Sequence, residues 1–474
     1  MGWKERISSM FYNAIYDAVE EAMRGHREGI ATRRDYREGL QPRQLKVKPN
    51  QFDDNLTVNY TGLVVDRSVS MLLGDGVKFD LPGEGETPES QYLDLVWKAN
   101  KQQILLQGAA TLAAESGTGY LKIIPDGLPY DDGGKVVMLP RLVVLDPMWL
   151  SITTNPEDIG QVTAYTIRYN VIGPDKKDLA KKQEILYEAG EVDENGVPLG
   201  EAYWRIENWE APQGKWLLVS EQRWEYEFPP VIHWQNLPDA VNVYGDPDED
   251  DNVLALQNRI NFVASNMSKI IRMYAHPQRW GKNLGQVDKV ALGPDEMPVY
   301  NNPDAELNQL EQLGDLTAIA SYLQFLRQSM FDISQTVDFS SMSDKVGALT
   351  NFGLRVLTHD ALARLNVKRA VLGEMLNELN RRLLVLAGMQ STDPGEVVWP
   401  DPLPVNEAEQ MQHYEAAQRL GVMSKQTIAE KLGLDWETEQ ERLEADQSQE
   451  EEVGERLLRD FVGGGGNAPR RGAA

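Results

Sequence analysis

Two stretches of this 474-residue chain place apolar residues in alternating steps of three and four. The first runs Val253, Leu256, Ile260, Val263, Met267, Ile270, Tyr274, and the second Leu316, Ile319, Leu323, Leu326, Met330, Ile333, Val337. That spacing is a heptad on one helix face and predicts two helices of matched register. Each is about 22 residues long, on the order of 33 Å at 1.5 Å per residue. The residues between them are rich in Pro, Gly and Asn around one strand-like piece, which predicts a small module inserted between the ends of a helical hairpin. A third long helix is predicted from Leu354 to Leu386, with Leu372, Leu376, Leu379, Leu383 and Leu386 at helical spacing. Before it lies SSMSDKVGALTN, Ser340 to Asn351, a soft polar loop between stiff elements.

The N-terminal half has a different texture. Helical patterns cover residues 3–27, 57–73 and 89–115, the second followed by a Gly-rich turn and a short strand, and at ESGTGYLKIIPDG the period switches from helix to strand. Strand-like segments then follow as far as residue 236: YLKIIPD, RLVVLDP, VTAYTIRYNVI, EILYEAG, YWRIENWE, KWLLVSE and PVIHWQN, spaced by turn residues. This predicts an α+β domain with antiparallel meanders. From Pro400 the pattern changes to short acidic helices, with Asn406, Ser424 and Asp435 as N-caps, and the end, VGGGGNAPRRGAA, is too poor in apolar residues to fold.

Composition adds exclusions. The absence of Cys rules out disulfides, thiolate metal sites and cysteine nucleophiles, and fits a reducing compartment. No run reaches the length of a membrane span, and the first residues carry charges where a signal peptide needs an apolar core. The net charge of −26 argues against a nonspecific nucleic-acid coat, whose affinity comes from Lys and Arg on phosphates. Residues 252–279 nevertheless hold Arg259, Lys269, Arg272 and Arg279 with no acid, whereas residues 401–460 hold 16 acids against 6 bases.

Candidate chemistry is sparse. The five His residues are scattered outside any zinc pattern, so no metal is expected. GTGYLK leads into a strand where a dinucleotide fingerprint must open a helix, and no Walker A sequence occurs, so no cofactor is expected and any motor belongs to a partner. Asp246, Asp248 and Asp250 imitate a calcium loop, but Asp251 stands at the glycine position and Gln257 at the bidentate Glu position. Acids there read as partners of a helix N-terminus. Trp204, Trp209, Trp216 and Trp224 read as core or interface residues rather than a stacking platform. No catalytic constellation emerges, and the chain is not expected to be an enzyme.

The order of elements resembles the portal proteins of tailed double-stranded DNA phages, of the long-tailed Gram-positive-phage type, over roughly residues 50–450. The resemblance rests on NYTGLVVDRSVSMLLGDGVKFDL, on LQGAATLAAESGTGYLKIIPDG with LVVLDPMWL, on VIHWQNLPDAVNVYGDPDEDDNVLALQNRINFVASNM and on DPLPVNEAEQMQHYEAAQRLGVMSKQTIAEKLG, in that order and spacing. It implies a portal fold: an α/β wing over 1–245, a long-helix stem over 246–279 and 313–339, and an inserted clip over 280–312. A tunnel loop would occupy 340–351, a long wing helix 352–389, an all-α crown 400–460 and a flexible tail 461–474.

It further implies a cyclic ring of twelve subunits at one capsid vertex of the virion, present in the host cytoplasm before assembly. Viral double-stranded DNA would pass through it, with terminase large subunit, head-completion or connector protein, major capsid and scaffold proteins as partners, and no membrane. The tunnel loop would present Lys345, with Ser340, Ser341, Ser343, Asp344 and Thr350, to DNA. The clip would offer Trp280, Lys282, Lys289 and Tyr300 to terminase and connector. Arg259, Lys269, Arg272 and Arg279 would face the channel or pair with acids of an adjacent subunit. Two other readings stay open: a coiled-coil adaptor without a channel, and a capsid-associated DNA-processing enzyme.

Overall fold

The structure is a computed structural model describing residues 23–50, 52–74, 76–81, 87–132, 134–173, 178–190, 201–212, 214–275, 279–283, 302–309, 316–338, 351–403 and 407–432, with 434, 436, 438–440 and 442–443. It divides into two units, Met1–Pro402 and Leu403–Ala474.

In the first unit a helix over 23–37 (α1) is followed by α2 (Tyr60–Leu73), the short strand β1 (Lys78–Asp80), α3 (Pro88–Ala99) and α4 (Gln102–Ser116). The helix expected over 3–27 thus continues ten residues further, while residues before 23 lie outside the description. Its extension is held by tertiary contacts: Ile30 and Tyr36 are buried, and Arg33, Arg34 and Arg37 reach Glu115 and Asp146. The single helix expected over 89–115 is two. Lys101 is left-handed, with φ of 53°, and the Asn100 side chain bonds Pro140 O and Leu142 N, which ties the break to a neighbouring strand.

The β region agrees with the meander. Strands β2 (Thr118–Asp132) and β3 (Lys135–Val144) join β9 (Val231–Gln235) in a sheet of order β3-β2-β9. Strands β4 (Leu150–Asn155), β5 (Asp158–Ile172), β6 (Asp178–Glu188), β7 (Tyr203–Ala211) and β8 (Leu217–Arg223) form a second sheet in sequence order, every pair antiparallel. The strand pattern had not revealed β4, whereas the short strand expected after the 57–73 helix is β1, which pairs with β12 (Glu396–Val398). That three-residue partner, some 300 residues away, has no local signal.

The expected heptad helices are α5 (Asp251–Ala275) and α6 (Leu316–Ile333), packed on each other and on α2 around Val64, Ile260, Leu326, Met330 and Phe331. The seam departs from strict heptad at its end: Ile333 is 48% exposed and Phe331 is buried in its place. The third long helix breaks at Thr358 into α7 (Asn351–Leu357) and α8 (His359–Leu386). Its Leu372, Leu376, Leu379 and Leu383 fill the largest core with α2, α3, α4 and the β2 sheet. In the second unit α9 (Glu407–Arg419) and α10 (Lys425–Lys431) follow, and Ser424 caps α10 through Thr427 N, whereas Asn406 and Asp435 lie outside the described residues.

Candidate functional site

The functional geometry centres on the root of the α5–α6 hairpin. Gln257, Asn261 and Ser265 lie four apart on α5, so they form one stripe, and all three are buried. Facing them, residues 54–59 and the first residue of α2 run beside the helix. Alternate amides of this stretch each meet one rung: Tyr60 N donates to Gln257 Oε1 at 3.1 Å, Val58 N to Asn261 Oδ1 at 2.9 Å and Leu56 N to Ser265 Oγ at 2.9 Å. Two residues of strand advance about 6.6 Å and four of helix about 6 Å, so the repeats nearly match. Gln257 Nε2 and the Ser265 hydroxyl donate back to Val58 O and Leu56 O, and Asn261 donates to Gln41. One rung further, Arg272 grips Asp54 through two bonds, at 2.8 and 2.6 Å, with its guanidinium over Phe52.

A buried charge cluster lies at the start of α5. Asp248 is 2% exposed and accepts from Lys368 Nζ at 2.6 Å, Arg364 at 3.2 Å and Asn236 at 3.1 Å, while its amide donates to Ala114 O. Lys368 also donates to Ser68 Oγ, so the carboxylate joins α8, α2 and the end of β9 while the amide of the same residue ties in α4. Burial opposes its ionisation, yet Lys368 and Arg364 overcome that and hold its carboxyl down at about 2. The run Asp246–Asp250 therefore does more than face a helix dipole. Only Asp250 behaves that way, accepting from Val253 N at 2.8 Å. Among the described residues no group of three or more His, Cys, Asp or Glu could hold a metal ion. The chain reaches this cluster through Gly117, whose φ of +87° and closeness to Gly245 O, 1.9 Å from any added Cβ, leave room for no side chain.

Beyond the root the hairpin is covered on one side only. Arg259 spans Phe262 and Tyr322 on the open side, at 5.4 and 6.0 Å from their rings, and Tyr322 stacks on Phe325, which is 62% exposed. At its far end α5 leads into β10 (Arg279–Lys282), paired antiparallel with β11 (Glu306–Gln309). At the other end of α6, Asp338 is bound by Arg327 at 2.7 Å and approached by Arg67 at 3.9 Å, and Arg67 also bonds Val337 O. Both guanidiniums cover the Phe331 ring. The chain is thus fastened immediately before residues 339–350.

Of the predicted site residues, Ser340, Ser341, Ser343, Asp344, Lys345 and Thr350 lie outside the described residues, as do Lys289 and Tyr300. Trp280 and Lys282 sit on β10, Trp280 being 42% exposed, and Arg279 opens that strand. Of the other bases, Arg272 is paired within its own chain and Arg259 lies on aromatic rings, while Lys269 is exposed. The tryptophans divide as well. Trp204 is buried between the sheets, and Lys182 lies over both Trp209 and Trp216, so their faces are occupied from within. The buried stripe Gln257, Asn261, Ser265 was missed. Its signal was present in the polar i, i+4, i+8 spacing beside the heptad.

The chain matches the family described as "Phage portal protein, SPP1 Gp6-like" over residues 7–453. No curated protein matches it. Among solved structures, a chain of the "Neck of native GTA particle computed with C12 symmetry" is similar over 79% of this chain and 89% of its own, with 14% identity and a TM-score of 0.39. The family match runs through both sheets, the rooted hairpin, the long α8 and the C-terminal helices, and by it the chain belongs to the SPP1 Gp6-like phage portal proteins.

Proposed function

We propose that the chain assembles into a portal ring at one capsid vertex, a channel through which viral double-stranded DNA is packaged and ejected. The observation that carries this reading is the near-complete family match, joined to a hairpin rooted firmly at one end and open on its side. In a cyclic assembly the uncovered ridge of Phe262, Tyr322 and Phe325 is buried by the adjacent subunit, since a heterologous contact that closes must use surfaces a lone chain leaves exposed. Twelve subunits is the number the family resemblance implies.

In this reading residues 1–245 are the wing, 246–279 and 313–339 the stem, 280–312 the clip, 340–351 the tunnel loop, 352–389 the wing helix and 400–460 the crown. The clip residues Trp280, Lys282, Lys289 and Tyr300 meet the terminase large subunit and later the connector protein. Lys345 approaches phosphate from the tunnel loop, beside Ser340, Ser341, Ser343, Asp344 and Thr350. The chain's role is a passive conduit rather than an enzyme, and its negative charge limits friction, because each phosphate contact would hold a moving duplex.

Two packaging assays test the proposal. Capsids assembled without this protein should stay empty of DNA; filled capsids would overturn the portal role. Lys345→Ala should enter capsids normally and change DNA per capsid, and an unaltered yield would remove Lys345 from the DNA path.

A further inference from the structure

Glu249 is the residue the ion-pair network leaves out. It is 0% exposed, and among the described residues neither carboxyl oxygen has a hydrogen-bond partner. Its neighbour Asp248 takes the bases of α8, Lys368 and Arg364. Arg34 and Arg37 of α1 are bonded to Glu115 of α4, and Arg33 donates its Nε to the Glu115 carbonyl. Two acids, Glu115 and Asp248, therefore crowd a carboxyl that α1 opposes only at longer range through Arg33 and Arg37. A bare carboxylate in such a place is cut off from bulk solvent and has no donor from the described residues, so the group is held neutral by a proton.

We propose that Glu249 is a proton-operated latch at the root of α5: protonated, it lets the 246–252 turn sit between α1 and α4, and on losing the proton it drives that turn outward toward water. The geometry gives the latch its reach. Asp248 N and Asp250 fasten the same turn to Ala114 O and to the first turn of α5, so displacing Glu249 strains both. Burial first, and then Glu115 and Asp248, raise its carboxyl to about 8, from 4.5 for an ordinary Glu. The unfolded chain sheds that proton near 4.5 and the folded chain near 8, so the folded state binds more protons between them. Stability therefore falls as the pH rises through that window.

The experiment compares the full-length protein with Glu249→Gln, a neutral isostere, at about pH 6 and about pH 9. The wild type should melt several degrees lower at the higher pH, and the protection factors of amides 248–256, corrected for base-catalysed intrinsic exchange, should fall by at least about tenfold. Glu249→Gln should hold its melting point and those protection factors across the range. Infrared difference spectra supply a readout independent of stability: a protonated-carboxyl band present near pH 6, lost near pH 9 and absent from Glu249→Gln. Parallel pH profiles for the two proteins, or a band unaffected by the substitution, would overturn the latch.

Discussion

The two halves of α5 share one heptad and live in different surroundings. From Asp251 to Ser265 two faces of the helix are enclosed: Val253, Ile260 and Val263 face α2 and α6, and Gln257, Asn261 and Ser265 are sealed by the segment of residues 54–60, while Arg259 and Phe262 stay on the open ridge. From Asn266 to Tyr274 no residue is fully buried, and Ile271 is 47% exposed. Hydrophobic periodicity reports that a helix has a partner. It does not report how many partners, and that number separates a root from a free arm.

Substitutions should therefore act in opposite ways at the two ends. The largest effect is expected at Asp248→Ala, which strands Lys368 and Arg364 without their carboxylate; removing one member of a buried pair costs about 3–5 kcal/mol. A thermal melt reads this, and a loss below about 1 kcal/mol would mean that water reaches the cluster. In the wild type the ion pair is lost on acidification. The Asp248 carboxyl is held at about 2 against an ordinary 3.8, so its contribution is present above that range and disappears as the pH falls through it.

Asn261→Ala should come next. It orphans the Val58 amide and leaves Gln257 and Gln41 each short of a partner, at a cost of about 1–3 kcal/mol in a urea titration. A neutral result would show that the 54–60 strand leaves the helix readily, and the contrast between the halves would weaken. Phe325→Ser should change the stability of the isolated chain least, within about 0.5 kcal/mol, because the ring is already in water. Sedimentation should nonetheless show fewer large assemblies. Assemblies unchanged by Phe325→Ser would free this ridge from any role between subunits.

Much of this architecture could be read from residue order. The alternating three-and-four steps located α5 and α6, and turn residues marked off β5 to β8, four strands of the five-stranded meander. What escaped was whatever depends on distant partners. The helix break at Lys101 is held by Asn100 bonding β3, and β12 gave no sign that it pairs with β1. Asp248 looked like one acid among several in a run at a helix start. Its distinction is that α8 brings Lys368 and Arg364 to it from more than a hundred residues away, which no local window contains. Arg272 likewise read as a base of the channel or of a subunit contact, and Asp54 claims it within the chain.

The most direct test of the central claim is negative-stain electron microscopy of the purified protein, with particle images classified by rotational symmetry. The portal reading predicts closed rings with an open centre at least about 20 Å across, wide enough for a duplex. Elongated dimers or trimers, or solid particles without a channel, would contradict it and leave the paired heptads to a coiled-coil adaptor.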